Sequence, residues 1–575
     1  MLRKKSGVLA LSAVAGLVAT GMAVPQASAE SGSNARAIPV QLLSFNDYHG
    51  HLEATDRPIA SDPSATPAGG AEYLSSKLAQ LRAKVGDANS LTVAAGDLVG
   101  GSTFLSGMFH DEPSVESLNA MGLDVSSVGN HEFDEGTAEL LRMQNGGCHP
   151  VDGCYFPSKP YAGASYRYLA ANVFKKADNK PLLPGTTVRW VGGKRIGFIG
   201  MTLRATPTLV DPAGVKSVRF ADEVSTANQQ AAALNRRGVK AIVLLIHEGG
   251  YQEPTTENYN GCVGFNGPIA EMATKFTSLI DVVVSGHTHQ PYVCTVPDPQ
   301  GRPRLVTSAS SYGQVVTETY FNVNSVTGEI NRNSFDAKNV LVDRTTADPA
   351  QTAVLDKWRT LAGPLAGRVV GTVATDVTGD SGGDRGIETP MTDLMADVIK
   401  WGTSSGGAQI GLMNVGGVRA SFLADQISNG EAPGEITYTE AYNTSPFGNL
   451  LVTLDLTGAQ LKTVLEQQYQ PVPDRGSRPM LALGVSAGFT YTWDATKPQG
   501  SRVVPGSMKL DGVAINPAMT YRVGTLNFLA NGGDLFTEFT KGTNLLGGKE
   551  DLDNLVDYLG SHPGLTPPGD RIAGL

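Results

Sequence analysis

Short apolar runs alternate with amphipathic segments along most of the chain. Residues 73–85 and 224–234 carry apolar side chains at helical spacing. The runs between such segments are short, continuously apolar and end abruptly in polar clusters, which is typical of buried strands. This alternation of strands with helices predicts an α/β fold with substantial sheet content.

A helical stretch at residues 348–365 separates two halves of the chain, and Pro349 and Pro364 flank it. We interpret residues 346–368 as a connector helix. It would join a first domain at 38–345 to a second domain at 369–560. Strands and helices of the second half are expected at 410–413, 450–456, 521–525, 392–401 and 458–467.

The N-terminus has the pattern of a secretory signal. Basic residues at positions 3–5 precede an apolar run at 8–24, and the small residues at 27–29 suit a signal peptidase. We therefore predict a signal peptide at 1–29 and secretion of the remainder. A retained anchor is the alternative, but the run is short for a membrane span. No later run is long enough to span a bilayer, so no membrane anchor is expected.

Charge narrows the choice of partners. The formal net charge at pH 7 is −10, and an acidic protein gains no general electrostatic attraction for nucleic acid. We expect no nucleic acid partner. Binding of phosphate would therefore depend on local cationic groups or on metal ions. Neither charge nor composition specifies the oligomeric state.

The chain contains four cysteines, Cys148, Cys154, Cys262 and Cys294. An even number in an oxidising compartment favours two disulfides. Among the three possible pairings, proximity in sequence favours Cys148–Cys154 and Cys262–Cys294. Metal binding by these cysteines is the alternative, but they lack paired CxxC spacing.

Five predicted strands end in residues that commonly bind metal ions. The strands lie at 40–45, 91–95, 125–128, 241–246 and 280–284. The candidate ligands at their ends are Asp47, His49, Asp97, Asn130, His247, His287 and His289. In α/β folds the carboxyl ends of strands are where ligands gather. Imidazole, carboxylate and amide oxygen suit divalent ions such as Zn²⁺, Mn²⁺ or Co²⁺, so we predict a metal site here.

In this order, the five clusters resemble the signature of calcineurin-like metallophosphoesterases. The resemblance implies a four-layer αββα domain, in which two mixed sheets are flanked by helices. It also implies two divalent metal ions (Zn, Mn or similar) bridged by Asp97. Asp47, His49 and His289 would complete one metal site, and Asn130, His247 and His287 would complete the other.

His131 and Asp134 closely follow the predicted ligand Asn130. By the same resemblance they form a catalytic pair, in which the imidazole stabilises charge on the phosphate or leaving oxygen and the carboxylate orients it. The implied reaction is attack on phosphorus by a hydroxide that two metal ions activate. His51 is either a support for a ligand or a loop residue. The histidines outside these motifs are predicted to be structural: His110, His149 and His562.

Three motifs in the second half, at 414–419, 445–449 and 527–534, resemble the C-terminal domain of 5′-nucleotidases. This group includes secreted bacterial enzymes, and the resemblance covers residues 40–558. It implies an α+β substrate-binding domain in which Phe447 and Phe528 stack on a nucleobase. The other implied substrate contacts are Asp534 to ribose hydroxyls, Arg385 and Arg419 to phosphate, and Asn414 to phosphate or base.

We therefore expect a secreted 5′-nucleotidase that hydrolyses nucleoside monophosphates, and other nucleotides remain open as substrates. A UDP-sugar hydrolase and a 2′,3′-cyclic-nucleotide phosphodiesterase with 3′-nucleotidase activity are alternatives within the same family. Two more distant alternatives are a non-catalytic nucleotide- or wall-binding protein and a thiosulfate-ester hydrolase of similar fold. The complete set of ligands argues against the first, and the paired phenylalanines argue against the second.

Overall fold

The computed structural model describes residues 36–54, 59, 66–210, 212–252, 258–379, 384–475 and 478–575. The predicted signal peptide at 1–29 lies outside these residues. Among the described helices, none combines the length and the apolar character needed to cross a membrane.

Two mixed sheets of six strands each form the centre of the first domain. Its strands are β1 (Ala37–Phe45), β2 (Ser90–Ala95), β3 (Val125–Ser127), β4 (Arg167–Leu169), β5 (Val173–Lys175), β6 (Thr186–Val191), β7 (Lys194–Thr202), β8 (Val218–Phe220), β9 (Ala241–His247), β10 (Val282–Ser285), β11 (Tyr292–Pro297), β12 (Pro303–Ser308), β13 (Val315–Asn324) and β14 (Ile330–Leu341). Strand order is β14-β13-β1-β2-β3-β4 in one sheet and β11-β12-β10-β9-β7-β6 in the other. Neighbours from β1 to β4, and from β12 to β7, are parallel, so their carboxyl ends meet at one edge.

Helices cover the outer face of each sheet. They are α1 (Ala71–Arg82), α2 (Phe104–Gly107), α3 (Glu112–Met121), α4 (Gly136–Asn145), α5 (Pro212–Val215), α6 (Glu223–Arg236) and α7 (Pro268–Lys275). Alternate side chains of β9 separate two cores: Val243 packs between the sheets, whereas Ile242 packs against α6 and α7. On the other sheet, Leu43 packs against Leu74 of α1 and Leu118 of α3. The expected four-layer αββα arrangement is confirmed.

Helix α8 (Pro349–Ala366) follows β14. The Asp348 carboxylate accepts a hydrogen bond from the Ala350 N–H at 2.9 Å and caps the helix. Pro364 lies inside the helix, so the expectation that it flanks the helix is wrong. A proline near the end of a helix removes only one backbone hydrogen bond. Leu355 and Trp358 pack in the core of the first domain and hold the helix in place.

The second domain combines three sheets, of five, four and two strands, with helices. Its elements are β15 (Val369–Thr372), α9 (Pro390–Gly402), β16 (Ile410–Asn414), β17 (Glu435–Thr437), α10 (Tyr438–Thr444), β18 (Leu450–Thr457), α11 (Gly458–Glu466), α12 (Val472–Arg475), β19 (Leu483–Val485), β20 (Phe489–Thr492), β21 (Lys509–Leu510), β22 (Val513–Ala514), β23 (Thr520–Leu526), α13 (Asn527–Ala530), β24 (Thr543–Glu550), α14 (Asp551–Ser561) and β25 (Ile572–Ala573). The larger sheet has the order β19-β16-β23-β18-β24. Helices α9 and α14 pack on one of its faces, and α11 packs on the other. Packing continues past residue 560, where this domain was expected to end, because β25 pairs with β20.

Both predicted disulfides are confirmed. Cys148 is bonded to Cys154, and Cys262 is bonded to Cys294. Since all four cysteines are used in this way, the alternative of cysteine metal ligands is wrong.

Candidate functional site

The seven predicted metal ligands meet at the carboxyl ends of the parallel strands. Asp47 and His49 follow β1, Asp97 follows β2, Asn130 follows β3, His247 ends β9, and His287 and His289 follow β10. The two sheets adjoin at this point, where His247 Nδ1 donates a hydrogen bond to the carbonyl of Ala95 at 2.8 Å. Sheet topology therefore brings together residues as distant in sequence as Asp47 and His289.

The turns that carry these ligands are sharp. Five of the ligands have φ values between 48° and 72°, a left-handed conformation that is costly for residues other than glycine. They are Asp47, His49, Asp97, His287 and His289. Glycines let the backbone of one turn lie close to the ligand carboxylate of another. A Cβ on Gly129 would lie 2.1 Å from Asp97 Oδ1, and one on Gly286 would lie 2.8 Å from Asp47 Oδ2. This explains the glycines that accompany the predicted ligands in sequence.

Asp47, His49 and His289 form one group. His289 Nε2 lies 3.3 Å from both Asp47 Oδ1 and His49 Nε2. His49 Nδ1 donates to the carbonyl of Gly100 at 2.8 Å, which leaves the lone pair on Nε2 directed into the group. Ligand atoms of all three residues lie within 4.8 Å of one another, as a shared ion requires.

Asp97, His247 and His287 form the adjacent group. His247 Nε2 is 2.8 Å from Asp97 Oδ2, and the same oxygen is 3.7 Å from His49 Nε2, so Asp97 lies between the two groups. Asn130 Oδ1 is buried and has no hydrogen-bond partner among the described residues. A buried amide oxygen without a partner is costly, and a cation at this position would satisfy it. The donor set therefore fits divalent metal ions.

Burial and neighbouring charges shift the pKa values of the ligand histidines. It lowers the pKa of His49, His287 and His289 well below the ordinary value, which keeps these imidazoles in the neutral form that binds metals. Burial also opposes protonation of His247, but the charges of Asp97 and Asp47 outweigh it and raise its pKa to about 10. A bound cation would take the place of that proton.

Glu132 supports this cluster, a role that the sequence analysis missed. Its carboxylate accepts hydrogen bonds from the backbone N–H groups of Asp97 at 3.0 Å and Leu98 at 2.7 Å, and also from Gly129. Burial and the charge of Asp97 raise the pKa of Glu132 to about 8. Glu132 thus ties the turn after β2 to the turn after β3. The only signal in the sequence is its position directly after His131.

The predicted catalytic pair is in contact. His131 Nδ1 donates to Asp134 Oδ2 at 2.8 Å, and the His131 backbone N–H donates to Asp97 Oδ1 at 2.8 Å. On the other side of the ring, Arg419 Nη2 donates to His131 Nε2 at 3.0 Å. Because a guanidinium can only donate, the imidazole carries its proton on Nδ1. This contact also joins the second domain to the first.

A cavity between the two domains contains all the predicted substrate residues. They are Arg385, Asn414, Arg419, Phe447, Phe528 and Asp534. The same cavity is lined by Asn130, His131, Asp134 and His287 from the first domain. The rings of His131 and Phe447 are stacked with centroids 5.8 Å apart, and Asn414 Nδ2 donates to Asp534 Oδ2 at 3.0 Å. The structure thus joins the predicted metal cluster to the predicted substrate contacts.

Arg478 also lines this cavity and carries no signal in the sequence. Its guanidinium donates to the backbone carbonyl of His287, across the domain boundary. Burial and the charges of Arg478 and Arg419 lower the pKa of Arg385. Three guanidinium groups therefore line the cavity that also contains metal-ligand residues, and guanidinium forks match phosphate oxygens.

The segment that carries Phe447 is held at both ends by one buried acid. Ser445 Oγ donates to Asp551 Oδ2 at 2.9 Å, and the Asp551 N–H donates to the carbonyl of Asn449 at 2.8 Å. Burial raises the pKa of Asp551 to about 7. Asp551 lies more than 100 residues from this segment, so sequence patterns around residue 447 do not reveal it.

The remaining histidines lie outside the two metal-ligand groups. His51 stacks on Tyr312 with centroids 3.9 Å apart, beside the ligand-bearing turn after β1. His562 stacks on Tyr558 with centroids 4.0 Å apart. His110 and His149 stack on each other, with ring centroids 3.6 Å apart.

Comparison with known proteins agrees with this geometry. Residues 41–291 match the family model of calcineurin-like phosphoesterases, and residues 369–541 match that of the 5′-nucleotidase C-terminal domain. The fold and the site thus define a metal-dependent phosphoester hydrolase. The chain belongs to the 5′-nucleotidase family, in which a calcineurin-like domain is followed by this C-terminal domain.

Individual relatives extend the comparison. Endonuclease YhcR of Bacillus subtilis is 34% identical over 91% of this chain, which spans 40% of the length of that relative. The cell wall protein Lmo0130 of Listeria monocytogenes is 30% identical over 95% of this chain and 70% of its own length. The crystal structure of a 5′-nucleotidase precursor from Thermus thermophilus superimposes with a TM-score of 0.75 at 25% identity, covering 93% of this chain and 99% of that one.

Proposed function

We propose that the protein is a secreted 5′-nucleotidase that converts nucleoside monophosphates to nucleoside and phosphate. The observation that carries this proposal is the single cavity in which Asn130 and His287 lie beside Phe447, Phe528 and Asp534. Secretion is supported by the signal pattern at 1–29 and by the similarity to a cell wall protein.

The seven strand-end ligands would hold two divalent cations with Asp97 between them. When bound, the two cations would neutralise phosphate oxygens and acidify a water molecule for attack on phosphorus. Arg385, Arg419 and Arg478 would hold the remaining phosphate oxygens. These three arginines are partly buried in the cavity. Electrostatic attraction is stronger there than in bulk water.

His131 would assist departure of the 5′-oxygen. In the structure its Nε2 accepts from Arg419, so a phosphate that enters the cavity can take over that guanidinium. Nε2 is then free to take up a proton and donate it to the leaving oxygen. Asp134, which accepts from Nδ1 at 2.8 Å, would stabilise the imidazolium form. The leaving nucleoside alkoxide needs such a proton, because it is a strong base.

Phe447 and Phe528 would hold the base by stacking. Stacking tolerates any base, because every base has a π-face. Asp534 would accept hydrogen bonds from ribose hydroxyls. Its carboxylate is oriented by Asn414, whose Nδ2 donates to Asp534 Oδ2 at 3.0 Å. The second domain would thus bind the nucleoside, and the first domain would bind the reacting phosphate.

UDP-sugar hydrolysis is a second candidate, and Arg478 is the observation that favours it. Three arginines together with two cations supply more positive charge than a single phosphate group needs. A substrate with two linked phosphates would use the additional charge.

The test measures phosphate or nucleotide release by the mature protein from AMP, UDP-glucose, 2′,3′-cyclic AMP and ribose 5-phosphate. Each substrate is assayed with Mn²⁺, with Zn²⁺ and after removal of metal. The proposal expects metal-dependent release from AMP with the highest kcat/KM. If UDP-glucose is preferred, UDP-sugar hydrolysis replaces the proposed 5′-nucleotidase activity. If 2′,3′-cyclic AMP is preferred, cyclic-nucleotide phosphodiesterase activity replaces it. If only generic phosphate esters turn over, the nucleotide assignment is wrong and the metal site remains.

Substitution of Phe447 by alanine is expected to raise KM for AMP by about 5- to 150-fold, because stacking contributes about 1–3 kcal/mol per base. For ribose 5-phosphate, which has no base, KM should change little. Phe174→Ala is the matched control, since Phe174 is half-buried on β5 and packs under Arg219 outside the cavity. Equal losses for AMP and ribose 5-phosphate would contradict the stacking role.

A further inference from the structure

A second cluster of metal-ligating side chains lies outside the interdomain cavity. His110, Glu135 and His149 offer ligand atoms within 4.8 Å of one another. His110 Nδ1 is 2.7 Å from Glu135 Oε2, and His110 Nε2 is 2.7 Å from Asp152 Oδ2. Both imidazoles are largely buried, with side-chain exposures of 19% for His110 and 12% for His149. No residue of this cluster belongs to the proposed catalytic machinery.

Three separate segments converge to build the cluster. His110 lies in the turn between α2 and α3, where it and Asp111 have φ values of 49° and 59°. Glu135 precedes α4, and His149 and Asp152 lie in the loop that the Cys148–Cys154 disulfide closes. Two successive left-handed residues are costly outside glycine. The short disulfide loop limits the backbone freedom of His149 and Asp152 before any ligand binds.

An ion pair between His110 and its two carboxylates explains only part of this arrangement. Burial opposes its protonation, but hydrogen bonds to Glu135 and Asp152 and the charge of Glu135 raise the pKa of His110 to about 9. His149 Nδ1 accepts a hydrogen bond from the Asp152 backbone N–H at 3.2 Å, and the ring centroid of His149 is 3.6 Å from that of His110. Burial and the charge of His110 lower the pKa of His149. Two imidazoles and two carboxylates at this spacing are the ligand types that divalent ions such as Zn²⁺ prefer.

We infer that His110, Glu135 and His149 form a binding site for one divalent transition-metal ion. His110 binds through Nδ1, and its Nε2–H donates to Asp152, an arrangement in which a carboxylate orients the imidazole and raises its basicity. Because imidazole lone pairs lie in the ring planes, the stacked rings of His110 and His149 turn apart when the ion binds.

The site lies next to the supports of the catalytic centre. Glu135 follows Asp134 directly in sequence, and Asp111, which follows His110, accepts a hydrogen bond from the Gly100 N–H at 2.9 Å. The carbonyl of Gly100 in turn accepts from His49 Nδ1. An ion that joins the three segments therefore stabilises the backbone around both His49 and the His131–Asp134 pair.

The test counts metal ions in the whole mature protein after dialysis against Zn²⁺, by elemental analysis, and measures the shift of Tm that Zn²⁺ produces. The double variant His110→Gln/His149→Gln is expected to bind one ion fewer per chain and to show a smaller shift. Asp152→Asn is expected to weaken binding of that ion by about 10- to 100-fold. His562→Gln is the matched control, because that histidine stacks on Tyr558 and lies outside the cluster.

Unaltered zinc content and an unaltered Tm shift in the double variant would overturn the inference and leave an ion-pair cluster. If the double variant folds poorly, Glu135→Gln removes one ligand while both rings remain, and it must also lose the ion. These measurements do not depend on nucleotide hydrolysis. Failure of the inference is therefore distinct from failure of the proposed function.

Discussion

Asp97→Asn is expected to lower phosphate release from AMP by about 10³-fold or more. Asp97 Oδ2 lies 2.8 Å from His247 Nε2 and 3.7 Å from His49 Nε2, between the two ligand groups. Asparagine preserves the shape but removes the negative charge and one of the two ligand oxygens. A loss of about 4 kcal/mol of charge stabilisation corresponds to that factor.

The measurement is kcat/KM with saturating Mn²⁺ or Zn²⁺, together with the metal content of the variant. Asp87→Asn makes the same chemical change at an exposed position and should leave both quantities unaltered. The Tm of the metal-free variant shows whether the fold is retained. Activity within tenfold of the parent, in a folded protein, would contradict a bridging role for Asp97.

His131→Gln is expected to lower kcat for AMP by about 10²- to 10⁴-fold, the usual range for loss of a general acid. KM should change much less, because Arg385, Arg419 and the two phenylalanines still hold the substrate. Asp134→Asn should produce a smaller loss, since the imidazole remains but loses the carboxylate that accepts from its Nδ1 at 2.8 Å.

The leaving group distinguishes this role from a purely structural one. p-Nitrophenolate departs without a proton, so kcat for p-nitrophenyl phosphate should fall far less than kcat for AMP. His562→Gln, remote from the cavity lining, should leave both values unaltered. Equal losses for the two substrates would show that His131 does not act as the acid. The Asp97 and His131 variants together separate metal binding from protonation of the leaving group.

Several features followed from the sequence because their causes are local. A buried strand, a glycine turn and a polar side chain are adjacent in sequence, so the turns after β1 and β2 could be predicted with Asp47 and Asp97 in place. The order of the strands in α/β folds then places their carboxyl ends together. Both disulfides could also be predicted, since Cys148 and Cys154 are only 6 residues apart.

Other features depend on which surfaces meet in three dimensions. Arg478 reaches the carbonyl of His287 across 191 positions, and Asp551 holds the segment of Phe447 from 106 positions beyond Ser445. Neither residue stands in a motif, because its role arises from a contact that no local pattern encodes. Glu132 does lie in the signature segment 129–132, but that segment does not indicate that its carboxylate joins two turns through backbone N–H groups.

The sequence by itself determined the αββα fold, the family, the disulfides and the set of residues suited to bind metal and nucleotide. The alternation of strands and helices follows from side-chain periodicity, and the disulfide pairing follows from proximity in sequence. The αββα arrangement and the roles of the candidate residues were implied by the resemblance of short motifs to known families. Only the tertiary structure placed His131 against Arg419 and formed the cavity between the domains. It also brought His110 and His149 beside Glu135, since this proximity depends on the packing of three segments and on the loop that the Cys148–Cys154 disulfide closes.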